Sequence, residues 1–544
     1  MRDKPPPLPA GRGATLPYVE YEAENGTYSG TLLGPSRALG DMANEASGRQ
    51  AVQLTQTGHH VTFTATQEAN SIVVRYSIPD SANGTGITST LTLYVNGVFR
   101  QKLNLTSRYT WCYGGDRLCA NYPKTPSAGL PHHFYDESHA FTGDIPAGAA
   151  VTLQKDGDDK AAFIVVDLID LELVGPAIPQ PAGSLSLTDC GAKSDGSEAG
   201  PAIQNCINKA EGSGQVLYIP AGNFVSTSGR LQANNVTIQG AGMWYSTLSG
   251  VDAGFQCNGG ACKFYDMGLF GDQLARQDNN HTGGFAGTSG PGSMIKNVWI
   301  EHSNNGYWLN NNTNGLTITN TRIRDTWADG VNFNCGTTNS IVEQSELRNT
   351  GDDGLAVWSW SACGTGPSTG NTFQFNTVQL PWNAQCFALY GGANNTIEDN
   401  LCYDTIAEAG ILIAQAFTST AFASSNQVLR TSLIRAGGNF GNRGAIAIEG
   451  RDTPINNTIN IQNLDIQSST LAGIELQGPN SMTGPSFNNV TISNAGTWGI
   501  QVDGNAQGSV SAISVVVTQP KSGGLTNPTG NAFTINRGTG NAGW

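Results

Sequence analysis

Between positions 325 and 360 the chain reads DTWADGVNFNCGTTNSIVEQSELRNTGDDGLAVWSW, and three aspartates in it are spaced so that they could share acid–base chemistry. Asp329-Gly330, followed by Val331, Asn332 and Phe333, aligns with Asp353-Gly354, followed by Leu355, Ala356 and Val357. The offset of 24 residues is about one coil of a parallel β-helix, in which equivalent positions stack about 4.8 Å apart. Asp329 and Asp353 then stand one above the other, and Asp352, opposite Ala328 in this register, adds a third carboxyl group. Neighbouring carboxylates repel, and repulsion with partial burial favours keeping one of them protonated, as a general acid requires. The others can then activate water. Asp-Gly also recurs in tight turns for conformational reasons alone. One such pair would be read as a turn; three clustered acids point to chemistry.

Repeated phrases surround this stretch: NNVTIQGAG from 234, IKNVWIEHSNNGYWL from 295, NGLTITNTRIRDTWADGVNF from 314, NNTIEDNLCYDTIAEAGILI from 394 and FNNVTISNAGTWGIQV from 487. Each is an Asn-rich turn, a strand with alternating Ile or Val, a second turn, then Gly and another alternating strand. Three strands per coil fit the pattern, with apolar side chains inward and turn asparagines in ladders along the axis. Ahead of the coils, a helix with Pro201 near its start carries Ile203, Cys206, Ile207 and Ala210 on one face and is expected to cap the open end of the solenoid. The fold class is therefore all-β: a right-handed parallel β-helix over 184–544. Before it, alternating strands such as Ser71-Ile-Val-Val-Arg-Tyr-Ser and hairpin signals such as Asn96-Gly97 predict a β-sandwich of jelly-roll, galactose-binding-like type over 17–175. The Pro-rich segment 176–183 is read as a stiff linker. Residues 1–16 are expected to be a disordered tail, and from Lys521 on a last partial coil and a loose end.

Composition narrows the partners. Only 13% of the 544 residues are charged, Gly numbers 69, and the formal charge is −14, which disfavours nucleic acid and other polyanions. No apolar run is long enough for a membrane span. The ten cysteines can pair locally as 112 with 119, 190 with 206, 257 with 262, 335 with 363 and 386 with 402. That even count in small loops suggests an oxidising, extracellular setting. The start MRDKPPPLPAGRG has no hydrophobic signal core, so a signal peptide is read as already removed. A secreted monomer is expected.

WADG at 327–330 followed by GDDG at 351–354, after a β-sandwich and within a β-helix, resembles glycoside hydrolase family 87, the α-1,3-glucanases that include mycodextranase. The resemblance implies endo-acting, inverting hydrolysis of α-1,3-glucan, with Asp352 as general acid and Asp329 and Asp353 activating water, as in related inverting β-helix hydrolases. Polygalacturonases add GHG and RIK strings that engage uronates; neither occurs here, so a neutral glucan fits better. Trp308, Trp327, Trp358, Trp360, Trp382 and Tyr390 recur at coil-strand ends, where an exposed ring can stack on a sugar. His302, Glu301, Gln385, Glu408, Arg443 and Glu449 could supply hydrogen bonds on the same side. Another neutral-glycan hydrolase of dextranase type, or a non-catalytic glycan-binding adhesin, would use the same solenoid. No His/Asp/Glu grouping shows ligand spacing, so no cofactor is expected for catalysis. The sandwich opens with Tyr21-Glu22-Ala23-Glu24 and closes with Val166-Asp167-Leu168-Ile169-Asp170, ends that resemble carbohydrate-binding module families 6 and 35. By that resemblance Glu22, Glu24 and Asp170 would hold a structural calcium; an acidic solvated edge is the plain alternative.

Overall fold

The computed structural model describes residues 10–279 and 283–544. Among the described residues one α-helix, Gly200–Ser213, accompanies a long succession of strands. Chain contacts divide the molecule into two units: Leu16–Pro176 with Gln273–Arg276, and Ala177–Asp272 with Gln277–Trp544 together with the residues up to Thr15.

The first unit is a sandwich of two antiparallel sheets. In one, the Asp136–Ile145, Ala69–Ser77, Ile164–Glu172, Ala51–Leu54 and Thr31–Leu33 strands lie side by side, and Tyr18–Glu22 pairs with Ile164–Glu172. The other orders Thr27–Tyr28, His60–Thr64, Ala150–Gln154, Thr88–Val95 and Val98–Thr106. Every second residue faces inward, so Ile72, Val74 and Tyr76 from one sheet meet Leu91, Leu93 and Val151 from the other in a single apolar core. Asn96 and Gly97 close the hairpin with φ of 51° and 74°, the doubly left-handed turn that Asn-Gly favours.

The second unit is the β-helix. One coil runs through Thr317–Thr319, Arg322–Arg324 and Val331–Asn334, the next through Ile341–Glu343, Glu346–Arg348 and Leu355–Trp358. The third strands of successive coils form a twelve-stranded parallel sheet in which Val331, Leu355, Phe387, Ile411, Ile446 and Ile474 stand in register. All of these point into one continuous core. Between the first two strands of successive coils, one residue adopts a left-handed backbone: Asp266, Asn297, Asn320, Gln344, Phe375, Asp399, Arg430, Asn463, Asn489 and Ser514, with φ of 42–59°. Asn and Asp tolerate that conformation best and supply six of the ten positions. The rest are held by their neighbours above and below. Beside the bends run two buried amide ladders. Asn371 Oδ1 accepts from Ser340 N–H (3.1 Å), Asn395 Oδ1 from Asn371 N–H (3.1 Å) and Asn426 Oδ1 from Asn395 N–H (3.0 Å). Asn376 and Asn400 repeat the arrangement.

The helix closes the N-terminal end as expected: Pro201 lies in its first turn, and Ile203, Cys206, Ile207 and Ala210 bury into the core. All five disulfides join the cysteines paired from spacing. The termini differ from expectation. Residues 1–9 of the predicted disordered tail lie outside the described residues, but residues 10–15 are held against the bend column. Gly13 N–H donates to Asp399 O (2.8 Å), Thr15 N–H to Gln344 Oε1 (2.9 Å), and Arg12 pairs with Asp399 (3.1 Å). A left-handed bend turns polar atoms outward, and the tail satisfies them. The C-terminal end is likewise anchored, because Gly523–Thr526 and Phe533–Arg537 extend the sheets and Trp544 Nε1 donates to Val515 O (2.9 Å).

Substituting Asn395 by alanine leaves the buried Asn371 N–H without an acceptor, a loss of about 1–3 kcal/mol. Scanning calorimetry of Asn395→Ala is expected to show the β-helix melting at a clearly lower temperature; an unchanged transition would mean that the ladder is ornamental.

Candidate active site

Pairing of Val331–Asn334 with Leu355–Trp358 fixes where the three aspartates stand. Gly330 N–H donates to Asp353 O (2.9 Å) at the point where the two strands begin. A Cβ at Gly330 would meet Leu347 Cδ2 at 2.4 Å, and one at Gly354 would meet Val378 Cγ1 at 2.6 Å. Close coil packing therefore requires each glycine, and it makes no demand for the aspartate before it. Asp329, Asp352 and Asp353 each bring a carboxylate oxygen within 4.8 Å of the others. Asp329 and Asp353 are buried and Asp352 is half-buried. Asn332 Nδ2 donates to Asp329 Oδ1 (3.1 Å). Tyr390 Oη–H donates to Asp353 Oδ2 (2.9 Å) and Gln385 N–H to Asp353 Oδ1 (3.3 Å). Burial first, and then the charges of Asp352 and Asp329, push the Asp353 carboxyl well above the usual carboxylate range, outweighing those two donors. Burial and its neighbours' charges thus favour a proton on Asp353, whereas the resemblance points to Asp352 as acid. Asp353 faces the next coil and not solvent, so desolvation falls most heavily on it.

Comparison with known proteins now bears on this arrangement. Residues 15–174 match the family described as alpha-1,3-glucanase catalytic domain D1, and residues 197–544 match alpha-1,3-glucanase catalytic domain D2. The chain belongs to the GH87 α-1,3-glucanase family. Among solved structures, the catalytic unit of the thermostable GH87 α-1,3-glucanase from Streptomyces thermodiastaticus strain HF3-3 is 33% identical, with 98% of this chain and 97% of that chain covered and a TM-score of 0.88. The Agl-KA catalytic domain is 30% identical over 98% and 100%, with a TM-score of 0.90. A GH87 α-1,3-glucanase catalytic domain in complex with nigerose is 27% identical over 97% and 100%, with a TM-score of 0.87. No curated protein matches the chain.

In this GH87 chain the predicted aromatics separate into two groups. Trp358 and Trp360 are stacked (5.0 Å between ring centroids), Trp308 meets Trp358 edge-on (6.2 Å), and all three are partly exposed. Trp327 is 1% exposed and lies edge-on to the buried Trp382 (6.3 Å), so its ring lines the turn from within and offers no open face. Tyr390 is buried and acts through its hydroxyl on Asp353. His302 is buried in the turn after the Met294–Glu301 strand, with φ of 50°. Arg443 joins Glu408 (3.3 Å) and Glu449 (3.0 Å) in an ion-pair network. Sequence reasoning missed Phe417. Its ring is 47% exposed, edge-on to Tyr390 (5.2 Å) and covered by the Arg451 guanidinium (4.8 Å), on a backbone with φ of 56°. Phe417 O accepts from Trp358 Nε1 (3.1 Å). It lies on an intercoil loop with no repeat to flag it; an exposed Phe beside another aromatic in space was the only signal.

In the sandwich, Tyr18–Glu22 pairs with Ile164–Glu172 so that Glu20 is opposite Asp170 and Glu22 opposite Leu168. Among the described residues Glu22, Glu24 and Asp170 do not bring three ligand atoms within 4.8 Å of one another. Glu24 and Asp170 are buried and Glu22 is half-buried; one Glu22 oxygen accepts from Ser47 Oγ–H (2.6 Å), and its Oε2, itself buried, has no hydrogen bond. Burial, then the charges of Glu20, Asp167 and Glu24, raise its carboxyl well above the usual range.

The raised folded-state pKa of Asp353 fixes the sign of a pH effect. Its favourable contribution to stability is complete below the unfolded carboxylate pKa of about 4 and is lost as pH rises through the folded value. Asp353→Asn keeps an acceptor for Tyr390 and Gln385, so it is expected to melt above the wild type at pH 8, with the gap closing towards pH 4. An equal shift at both pH values would contradict the buried-proton assignment.

Proposed function

We propose that the chain is a secreted, endo-acting α-1,3-glucan hydrolase that inverts the anomeric centre. The supporting observation is the patch of three carboxyl groups within 4.8 Å beside exposed tryptophans. Solved relatives with bound nigerose or tetrasaccharides carry alanine at one of three aspartates. Those aspartates are 23 and 1 positions apart, the spacing of Asp329, Asp352 and Asp353. The proton that burial favours on Asp353 in the resting patch passes to Asp352, the half-buried member, when substrate binds, and Asp352 gives it to the glycosidic oxygen as the C1–O bond breaks. A water held by Asp329 and Asp353 attacks C1 from the opposite face and leaves its proton on that carboxylate pair, and exchange with solvent resets the site. The five disulfides support an extracellular setting.

One observation favours a second reading. Two-carboxylate inverting sites keep about 6.5–9.5 Å between the groups and retaining sites about 5–5.5 Å, and the closest oxygens here fall under the smaller figure. Following the anomer of fresh product by NMR decides: β-product first means inversion, α-product first a covalent intermediate. Asp352→Asn is expected to lower kcat on insoluble α-1,3-glucan by about 10²–10⁴-fold, and far less on an aryl glycoside whose leaving group needs no proton. If Asp353→Asn shows that selectivity instead, the two roles within the pair are exchanged. Early products of mixed length support endo action. Release from α-1,6-glucan alone would reassign the linkage, and activity lost to EDTA with an unchanged melting temperature in Glu22→Gln, and restored by a metal, would overturn a metal-independent site.

Glu22, with Glu20, Glu24 and Asp167 in its field and one buried oxygen without a hydrogen bond, suits a cation in the sandwich. Calcium would take the place of the proton that burial otherwise forces onto Glu22. Added calcium at pH 8 is expected to raise the melting temperature of the wild type and leave Glu22→Gln unmoved; equal responses would remove the site.

A further inference from the structure

Beyond Trp358 the chain leaves the coil ladder for a short turn, Ser361–Cys363. What holds this segment is a loop 57 to 61 residues further along the chain. Trp358 Nε1 donates to Phe417 O (3.1 Å) and Trp360 Nε1 to Thr418 Oγ1 (3.0 Å), so both indole N–H groups end on two adjacent residues. Between them Thr420 N–H donates to Ser359 O (2.7 Å) and Ser361 N–H to Thr418 O (3.1 Å). The Cys335–Cys363 disulfide ties the far end of the segment to the preceding coil.

The loop adopts an unfavourable backbone to make these contacts. Ser419 N–H donates to Ala416 O (3.1 Å), closing a turn whose two central residues, Phe417 and Thr418, have φ of 56° and 54°. Asn96-Gly97 makes the same doubly left-handed turn with residues suited to it, whereas a β-branched threonine is poorly suited. Neighbouring groups hold the strained turn in place. Gln415, 1% exposed, spans it, with Nε2 donating to Ser419 O (3.2 Å) and Thr420 O (3.0 Å) and Oε1 accepting from Phe422 N–H (3.0 Å). Asp452 Oδ2 accepts from Thr418 N–H (3.1 Å), and Asp452 N–H donates to Gln415 O (2.9 Å). Strain that is over-determined by its surroundings marks a functional constraint. A glycine at 418 would relieve the backbone but deprive Trp360 Nε1 of its hydroxyl acceptor.

We infer that the Ala416–Ser419 turn is a clamp that sets the Trp358–Trp360 pair before substrate arrives, with Gln415, Thr418 and Asp452 as positioning residues. The inference rests on the hydrolase reading above. Two free indoles would give up rotamers on binding sugar; held by their N–H groups and stacked at 5.0 Å, they have little left to lose. The clamp therefore acts equally on ground and transition states and shows in KM, not in kcat.

The test uses Thr418→Gly, Asp452→Ala and Asp452→Asn. Thr418→Gly takes the left-handed backbone readily, so it is expected to melt at or above the wild type and yet raise KM on an α-1,3-linked hexasaccharide by about tenfold with kcat unchanged. Asp452→Ala should raise KM in the same way. Asp452→Asn keeps an oxygen for Thr418 N–H and should restore the wild-type value. The exciton couplet of the stacked indoles in circular dichroism should weaken in the first two variants and persist in the third. A merely structural turn would lose activity together with melting temperature, which Thr418→Gly separates. Unchanged KM in Thr418→Gly overturns the clamp, as does a fall in kcat at unchanged KM. A wild type that cleaves no α-1,3-linked oligosaccharide sinks the hydrolase reading instead. The clamp is then read by calorimetric titration of the hexasaccharide into wild type and Thr418→Gly, where weaker binding in the variant supports it and equal affinity or absence of binding overturns it.

Discussion

Parallel strands in register repeat at about 4.8 Å, and this single distance governs both the stability of the β-helix and the chemistry on its surface. Stacking Val331 on Leu355 and Leu355 on Phe387 builds the core. The same stacking forces Asp329 onto Asp353, closer together than two carboxylates would choose. A loop-borne site could relax by moving apart, but an aspartate bracketed by a required glycine and a paired strand cannot. The repulsion is relieved by protonation, and burial decides where the proton goes. The strained electrostatics of the patch follow directly from the regularity of the fold.

A second consequence concerns what lies outside the core. Inward positions are filled, so recognition has to use outward ones, and on the third sheet these are unusually small. Ala356, Ala388, Leu412, Ala414 and Ala447 form a buried outer layer with Tyr390, against which Trp358 packs. Tyr390 packs among these small residues, and its hydroxyl reaches one coil back, to the Asp353 that sits 37 residues earlier in the chain. A larger residue in that layer would lift the ring and remove the donor from Asp353. The position of an acid–base group thus depends on alanines that pack against its hydrogen-bond donor.

Much of this was legible in the sequence because its signals are periodic. Period-two alternation marked the strands, the Asp-Gly offset gave the register that Val331 and Leu355 adopt, and short cysteine spacings identified all five disulfides. The helix was readable from Pro201 and its apolar face. What escaped lies where periodicity says nothing. Trp327 is in a turn, so alternation could not tell inward from outward. Phe417 is on an intercoil loop, and the anchored termini depend on backbone atoms that the bends expose. The raised carboxyl of Asp353 was hidden for another reason: its causes are burial under the next coil and the charges of Asp352 and Asp329, which outweigh the Tyr390 and Gln385 donors.

The outer face also changes character along its length. Towards the N-terminal coils it presents Gln256, Trp308 and Asn332, neutral groups rich in donors. Beyond the alanine layer it becomes ionic, but the charges are largely matched within the face: Arg443 lies between Glu408 and Glu449, and Arg451 binds Glu449 while covering Phe417. Glu475, in the same row, is pushed up to about 7 by burial and so carries little charge below neutrality. With Glu408 and Glu449 matched by Arg443 and Arg451, this face contributes little to the protein's formal charge of −14. For an uncharged polymer, which gains nothing from long-range attraction, that arrangement matters, because each unpaired ion on the face would have to lose water without a counter-charge to replace it.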